Sequence, residues 1–182
     1  MKILAIPATN SRNGLNKQLL DYVADILAKE HDVEVEFLDL NDYEMAIYST
    51  EREAAGIPEK AQQFYDTIGR ADAVIVSFAE YNGSFTPAWK NTYDWASRVD
   101  QQVYQQRPVL MLAASPGPRG GAGVLGAATM SAPFFGAELV GSLGVGTFYE
   151  AFDAKLVDQE ADAELRALVE ALVTAATAAP AS

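Results

Sequence analysis

The sequence predicts an α/β fold with a doubly wound parallel sheet of five strands in the order 2-1-3-4-5 and helices on both faces. Three short apolar runs, at 3–6, 73–78 and 109–114, are nearly unbroken, which is typical of strands buried on both faces of a parallel sheet. Longer stretches with helical periodicity separate these runs. Right-handed crossovers then place the first, third and fourth strands at the centre of the sheet.

The second and fifth strands have different patterns. Between residues 32 and 38 apolar side chains alternate with glutamates, so this strand is predicted at an edge of the sheet. The fifth strand, at 138–148, is interrupted by glycines and is predicted to be bulged or bent.

Apolar stripes and capping signals predict the main helices. The stripes lie at 15–27, at 61–68 after Pro58, and at 165–172 after Asp158. Thr86 and Pro87 indicate the cap and first residue of a helix that runs to about Val99. The alanine-rich end, 175–182, is predicted to fray.

Length and composition indicate one globular domain. The chain has 182 residues, of which 49% are hydrophobic and 21% charged, and a domain typically has about 150 residues. We therefore expect residues 1–182 to form a single domain. The apolar run at the start is too short for a signal peptide and no stretch is long enough to span a membrane, so we expect a cytoplasmic protein.

Charge and residue counts exclude several classes of function. The formal net charge is −12, which repels nucleic acid and anionic lipid, so we expect neither as a partner. There is no cysteine, and the one histidine, His31, is expected on the surface near a helix C-terminus. These counts exclude thiolate chemistry and the cysteine and two-histidine metal motifs, and we expect no metal site.

Small and polar residues concentrate in the three loops that follow the central strands, at 8–16, 80–84 and 115–121. Because the carboxyl ends of parallel strands share one edge, these loops are predicted to open together. The first leads directly into a helix, where free N–H groups and hydroxyls suit a phosphate monoester; a cap without a ligand uses the same residues and stays an alternative. The glycines of the other two suit the edge of a planar heterocycle, unless both are ordinary turns.

A fourth motif, Gly121 to Gly126, matches the dinucleotide fingerprint GxGxxG. It follows the fourth strand instead of the first, and the acidic residue expected about 20 positions on is missing. We interpret these glycines as positions of close helix packing. The sequence contains neither a GxxxxGK[ST] phosphate loop nor a GxSxG nucleophile elbow.

The three loops, in order, resemble the signature loops of the NAD(P)H-dependent FMN reductases, which have a flavodoxin-like fold. The matching blocks are TNSRNGLNKQL at 9–19, EYNGS at 80–84 with Lys90-Asn91 and Asp94-Trp95, and SPGPRGG at 115–121. The sequence departs from the usual pattern at Ser11, where an arginine is common, at Gly14, where a serine is common, and at Ala79, which replaces a proline.

The resemblance implies a bound FMN. It implies phosphate ligands in the first loop, namely Thr9, Ser11 and Asn16, with Arg12, Gly14 and Leu15 in the same part of the site. It implies that the second loop faces the isoalloxazine ring through Tyr81, Asn82 and Gly83, flanked by Glu80 and Ser84. The third loop would close the pyrimidine side through Ser115, Gly117, Gly120 and Gly121.

The resemblance also implies an enzyme whose hydride chemistry belongs to N5 of FMN, with no catalytic side chain. NADH or NADPH would reduce the flavin, and a quinone, azo dye, free flavin or metal oxyanion would then reoxidise it in ping-pong order. A homodimer or homotetramer is expected. The basic residues near the site that are candidates for a 2′-phosphate are Arg12, Arg98 and Arg119.

Two questions stay open at this point. A flavodoxin-like electron carrier would also suit the acidic charge, but such carriers usually sandwich the ring between aromatic side chains, and these loops offer Tyr81 among glycines.

The segment 39–57 is long for a connection, and its apolar residues predict a lid or a partner surface, or else a loop packed on its own domain.

Overall fold

Five parallel strands form one sheet, in the order β2-β1-β3-β4-β5, in the computed structural model, which describes residues 1–178. The strands are β1 (Ile3–Ala8), β2 (Val35–Phe37), β3 (Ala73–Phe78), β4 (Arg107–Ala114) and β5 (Ala137–Val145). Every residue of β1 and β3 is buried, as their unbroken apolar runs require. The predicted order and the central position of these strands are confirmed.

The two outer strands differ in length from their predictions. The strand β2 lies at the edge as predicted, but it has only three residues because Asp32 ends the preceding helix in the left-handed region, at φ 54°. The strand β5 is bulged as predicted: Val109 pairs with Leu139, whereas Leu110 pairs with Gly141. It ends at Val145, before residue 148.

Helices cover both faces of the sheet. They are α1 (Leu15–His31), α2 (Thr50–Ala54), α3 (Glu59–Gly69), α4 (Pro87–Val99), α5 (Ala122–Ser131), α6 (Phe148–Ala151) and α7 (Gln159–Ala178), with 3-10 helices at Leu40–Tyr43 and Ala132–Phe135. One core cluster lies between the sheet and α3, α4 and α5, and the other lies between the sheet and α1 and α7. A core on each face of the sheet, covered by helices, is the doubly wound arrangement that the sequence predicted.

Helix α7 continues further than expected. Fraying was predicted from residue 175, but the helix runs to Ala178 and buries Ala176 against the core. The rest of that prediction, 179–182, lies outside the described residues.

Among residues 1–178, none of the helices combines the length and apolar character that a membrane crossing needs.

The segment 39–57 packs on its own domain through Met45, Ala46 and Tyr48, as one of the two sequence alternatives predicted, while Ile47 is 76% exposed. Trp95 of α4 donates from Nε1 to the Ala46 carbonyl at 2.7 Å. Asn91, one turn earlier, donates to the Met45 carbonyl at 3.0 Å and accepts from the Tyr48 N–H at 2.9 Å. These contacts hold the segment against α4.

His31 is the last residue of α1, as expected, but it is mostly covered. Its side chain is 13% exposed, and Nδ1 lies 3.5 Å from a carboxylate oxygen of Glu170 on α7. The surface position expected for it is therefore corrected.

Within the described part of the chain, no three His, Cys, Asp or Glu side chains come together as a metal site.

Candidate functional site

The loops after β1, β3 and β4 meet in one cleft at the carboxyl edge of the sheet. The cleft has a volume of about 150 Å³, and its lining residues are Thr9, Ser11, Gly14, Leu15, Asn16, Ala79, Glu80, Tyr81, Ala114, Ser115 and Pro116. Nine of these come from the three loops at 8–16, 80–84 and 115–121. The other two, Ala79 and Ala114, lie at the carboxyl ends of β3 and β4.

The first loop leads to an uncapped helix N-terminus. Gly14 is the N-cap of α1, with no side-chain hydrogen bond to the helix and no acidic residue in the first turn. Within residues 1–178, the N–H groups of Gly14, Leu15 and Asn16 donate no hydrogen bond. Thr9 and Ser11 add two hydroxyls to the same place. Free N–H groups at the positive end of a helix dipole fit a phosphate dianion.

Asn16 serves the sheet with its side chain. Its Oδ1 accepts from the Ala114 N–H at 2.9 Å and from Ser77 Oγ at 2.8 Å, and its Nδ2 donates to the Ala114 carbonyl at 3.2 Å. The residue is only 3% exposed. The expectation of a side-chain phosphate ligand is therefore corrected: Asn16 is a brace that fixes the start of α1 against β3 and β4.

A tyrosine connects the first two loops across the cleft. The Tyr81 hydroxyl lies 3.4 Å from Ser11 Oγ. Hydrogen bonds with Ser11 and then Thr9 lower the pKa of the Tyr81 phenol. The phenol therefore lies among the hydroxyls that are predicted to bind the phosphate.

The second loop is a tight two-residue turn. Tyr81 and Ser84 exchange backbone hydrogen bonds of 3.0 and 3.1 Å. Between them, Asn82 and Gly83 have φ values of 52° and 78°, which is the left-handed pair of a type I′ turn. Asn82, Gly83 and Ser84 lie outside the cleft lining, so Glu80 and Tyr81 are the residues that this loop contributes.

Glu80 also fixes the start of α5. A carboxylate oxygen of Glu80 accepts the N–H of Val124 at 2.8 Å, which caps the helix from another loop. A Cβ at Gly123 would lie 2.8 Å from that carboxylate and 3.0 Å from the Gly83 carbonyl. The close packing expected of the GxGxxG glycines therefore holds at Gly123, whereas Gly126 faces open space.

The third loop contributes Ser115 and Pro116 to the cleft. The Ser115 hydroxyl donates to the Gly117 carbonyl at 3.0 Å. Gly120 and Gly121 are buried below the loop, where added Cβ atoms would lie 2.9 Å from the Gly144 backbone and 2.8 Å from the Ala113 side chain. The expectation that these two glycines close a ring edge is corrected, because they support the loop from below.

Arg12 lies outside the cleft lining. Its Nε donates to Asp39 Oδ2 at 3.2 Å, and its side chain is 72% exposed. Burial opposes ionisation of Asp39, but hydrogen bonds from the backbone and side chain of Asn41 and from Arg12 hold its pKa below the ordinary value. The guanidinium is therefore committed to a carboxylate instead of the predicted phosphate site.

The cleft therefore suits binding more than acid or base catalysis. It combines hydroxyl and backbone donors at a helix N-terminus with one aromatic side chain, and its carboxylate, Glu80, is occupied in capping α5. These groups fit a phosphate monoester attached to a planar ring system, as in FMN.

Known proteins share both sequence and fold with this chain. It is 28% identical to the NAD(P)H-dependent FMN reductase of Pseudomonas aeruginosa over 64% of this chain and 61% of that protein. It is 31% identical to the 2-hydroxy-1,4-benzoquinone reductase of a Burkholderia species over 66% of this chain and 63% of that protein. The matched region thus spans about six-tenths of each relative's length.

The fold also matches a solved structure over almost its full length. FerB, a flavoenzyme NAD(P)H:(acceptor) oxidoreductase from Paracoccus denitrificans, superposes with a TM-score of 0.77 at 22% identity, covering 97% of both chains. This likeness shows that the fold is flavodoxin-like. The model of the NADPH-dependent FMN reductase family matches residues 1–150. The chain belongs to this family.

Proposed function

We propose that this protein is an FMN-dependent oxidoreductase that takes hydride from NADH or NADPH and reduces a small-molecule acceptor. The observation that carries the proposal is the meeting of three loops at one uncapped helix N-terminus, at the carboxyl edge of β1, β3 and β4. When bound, FMN supplies the hydride-accepting N5 atom. Membership of the family supports the same function.

Residues of the first loop hold the phosphate in this proposal. The hydroxyls of Thr9 and Ser11 donate to the phosphate oxygens, and the free N–H groups of Gly14, Leu15 and Asn16 complete the cradle. The Tyr81 hydroxyl, which lies beside Ser11, reorients its hydrogen bond toward the ligand. The phosphate is the anchor that fixes the orientation of the rest of the cofactor.

Residues of the second and third loops position the ring. Tyr81 and Ser115 lie on different loops that face the same cleft, and they contact the ring from the β3 and β4 sides. Asn82, Gly83, Ser84 and Gly117 lie further out, where they limit access to the ring without lining the cleft. Glu80 acts indirectly, because it holds the third loop and α5 in register with the second loop.

The aromatic content of the cleft favours a reductase over an electron carrier. Among the described residues that line the cleft, Tyr81 is the only aromatic one, so one ring face stays accessible to a second substrate. A quinone is the proposed acceptor, supported by relatives named as quinone reductases. The two substrates then use the same ring face in turn, which gives ping-pong kinetics.

We propose that residues 1–182 form a single domain that assembles as a homodimer or homotetramer. Exposed apolar side chains on the outer face of α5 and the following 3-10 helix support this: Met130 is 73% exposed and Phe134 is 71% exposed. We further propose that the protein acts in the cytoplasm, where its nicotinamide substrate is available.

The test is to incubate the purified protein with FMN, desalt it and record its absorbance and protein concentration. We expect a yellow protein with about one FMN per chain, as a single cleft requires. Stopped-flow mixing with NADH or NADPH should then bleach the flavin within seconds, which a carrier that needs a partner reductase would not do. A colourless protein that leaves flavin fluorescence unchanged in titration would refute the proposal.

A further inference from the structure

We propose that the groove between α4 and α5 receives Met130 and Phe134 of a second copy of this chain, so that a two-fold axis joins two copies across this face. The inference rests on the homo-oligomer of the proposed function and names the surface that forms it. This contact does not involve the flavin, so it is tested by assembly and not by activity.

Helix α5 and the 3-10 helix after it have an outer face without charged side chains. Residues 122–135 contain no Asp, Glu, Lys or Arg, in a chain of which 21% is charged. Their two hydroxyl side chains, Thr129 and Ser131, donate back to carbonyls of the same helix at 2.9 and 3.0 Å. One side of α5 packs in the core through Val124 and Ala128. A helix that is apolar all round is typical of a helix buried on every side, so we expect the outer face of α5 to be covered as well.

Two large apolar side chains project from this outer face. Met130 is 73% exposed and Phe134 is 71% exposed. Met130 follows Ala127 by three residues, and Phe134 follows Ser131 by three, so each lies one turn from a residue that lines the groove. The projecting pair therefore borders the groove on the same face of the molecule.

The groove itself is an aromatic hollow of about 290 Å³. Phe78 and Tyr104 lie at its bottom, since they line it and are only 1% and 2% exposed. Four further lining residues are aromatic, namely Phe85, Trp89, Tyr93 and Phe135. Apolar side chains that enter such a concave, desolvated site contribute most of the free energy of an interface. The groove therefore suits the side chains of Met130 and Phe134 from another molecule.

Charge favours contact between two copies at this face over contact elsewhere. The chain carries −12, so two copies repel each other over most of their surface. The charged residues of the groove are Lys90, Arg98 and Asp94, two basic and one acidic, which sum to +1. Asp94 is already paired with Lys90 at 2.7 Å. Two copies can therefore approach through this face without bringing unpaired carboxylates together.

Symmetry makes a second copy the occupant that accounts for both features at once. In a two-fold interface the same patch is used on both molecules, so each groove receives the projecting pair of the partner while its own pair enters the partner's groove. A small aromatic ligand would fill the groove but would leave Met130 and Phe134 exposed. A groove and a projecting pair on different faces would instead build open chains of molecules.

The first test measures the assembly of the FMN-loaded protein by sedimentation velocity over a range of concentrations. Phe134→Glu should reduce the assembly by one step, from dimer to monomer or from tetramer to dimer, and raise the dissociation constant of that step at least about a hundredfold. A central apolar contact is worth roughly thirtyfold or more, and a two-fold axis makes the contact twice. The matched control is Val157→Glu, because Val157 is 58% exposed and follows Leu156, which packs in the core on the opposite face of the sheet.

The outcomes separate this contact from the proposed flavin chemistry. A wild-type protein that is monomeric at every concentration, or a Phe134→Glu variant that assembles like Val157→Glu, would overturn the inference. Failure to bind FMN in the same samples would refute the proposed function and leave the contact standing. Far-UV circular dichroism and the melting temperature check that each variant is folded, and Phe134→Ala serves as the milder replacement.

A second variant asks whether the groove is entered or only covered. Ala127 lines the groove and is half-buried, so Ala127→Trp should fill the hollow from its own wall. If the partner's side chains enter the groove, this variant should raise the dissociation constant at least about tenfold, with Ala127→Leu having a smaller effect in the same direction. If the two faces only stick together through apolar surface, the added indole should strengthen assembly, and that result would overturn the inference.

Discussion

Removal of the Thr9 and Ser11 hydroxyls should weaken the binding of FMN far more than that of riboflavin. The two ligands share the ring and the ribityl chain, and only FMN has the phosphate that these hydroxyls are proposed to meet. Both side chains line the cleft beside the free N–H groups of α1. The double variant Thr9→Ala with Ser11→Ala therefore separates phosphate binding from ring binding.

The magnitude follows from the contacts of each hydroxyl. A hydrogen bond to a charged group contributes roughly 1.5–3 kcal/mol, so the pair contributes roughly 3–6 kcal/mol if the two add. Three kcal/mol corresponds to about a hundredfold in Kd. Thr9 Oγ1 also accepts from the Ser11 N–H at 3.1 Å, so its loss perturbs the loop for both ligands. Ser11→Ala alone avoids this, because the Ser11 hydroxyl has one hydrogen-bond contact among residues 1–178, with Tyr81 at 3.4 Å.

Quenching of flavin fluorescence measures both affinities under the same conditions. We expect Ser11→Ala to raise Kd for FMN by at least about tenfold, with riboflavin changed by less than about twofold. Ser142→Ala is the matched control, because Ser142 is an exposed serine on β5, far along the chain from the first loop. It should change the Kd of neither FMN nor riboflavin. An equal loss for FMN and riboflavin would refute the assignment of the first loop to phosphate.

Three further predictions concern residues outside the proposed ligand contacts: Asn16 and Gly123 support the cleft, and Asp162 joins α7 to α1. Asn16→Ala should lower the free energy of unfolding by roughly 3 kcal/mol in urea titrations, because three buried hydrogen bonds lose their partner. Gly123→Ala should cost roughly 1–3 kcal/mol, since its Cβ would meet a carboxylate oxygen of the second loop at 2.8 Å, whereas Gly126→Ala, with nothing within 4 Å, should be neutral or stabilising in the same titration. Burial opposes ionisation of Asp162, but hydrogen bonds from Arg166 and Tyr22 lower the pKa of its carboxyl. Its contribution to the free energy of unfolding is therefore present above the unfolded pKa of about 3.9 and is lost as pH falls through the lower folded pKa. Asp162→Asn should lower the melting temperature at pH 7 and make stability less dependent on pH below about 4, and an unchanged dependence on pH there would contradict this assignment.

The fold was predictable because its signals are local. A strand such as Ala73–Phe78 is buried along its whole length, so every position is apolar or small and the sequence marks both ends correctly. Helix α4 was equally clear, because the Thr86 side chain accepts from the Trp89 N–H and Pro87 follows it directly. The edge strand β2 was overestimated because the alternating pattern begins at residues that in fact terminate α1.

The location of the site was predictable, but the roles of several side chains were not. Parallel strands put the three loops on one edge, whatever their residues do. Asn16 was misassigned because its partner Ala114 is 98 residues away, and no local pattern carries such a contact. Gly120 was misassigned for a similar reason: the backbone of β5, at Gly144, occupies the space that a side chain would need.

The contacts between the loops divide the site residues into two kinds with different expected effects. Asn16 joins α1 to β3 and β4, and Glu80 joins the second loop to α5, so these two residues fix the shape of the cleft before a ligand enters. Their replacement should weaken riboflavin as well as FMN, because it disturbs the frame that both ligands share. Ser11 is exposed and does not hold the frame, so its loss should be felt only by the ligand that carries a phosphate. A cleft whose shape Asn16 and Glu80 fix in advance also costs little ordering when a ligand binds, which favours the proposed FMN binding despite the departures from the family pattern in the first loop.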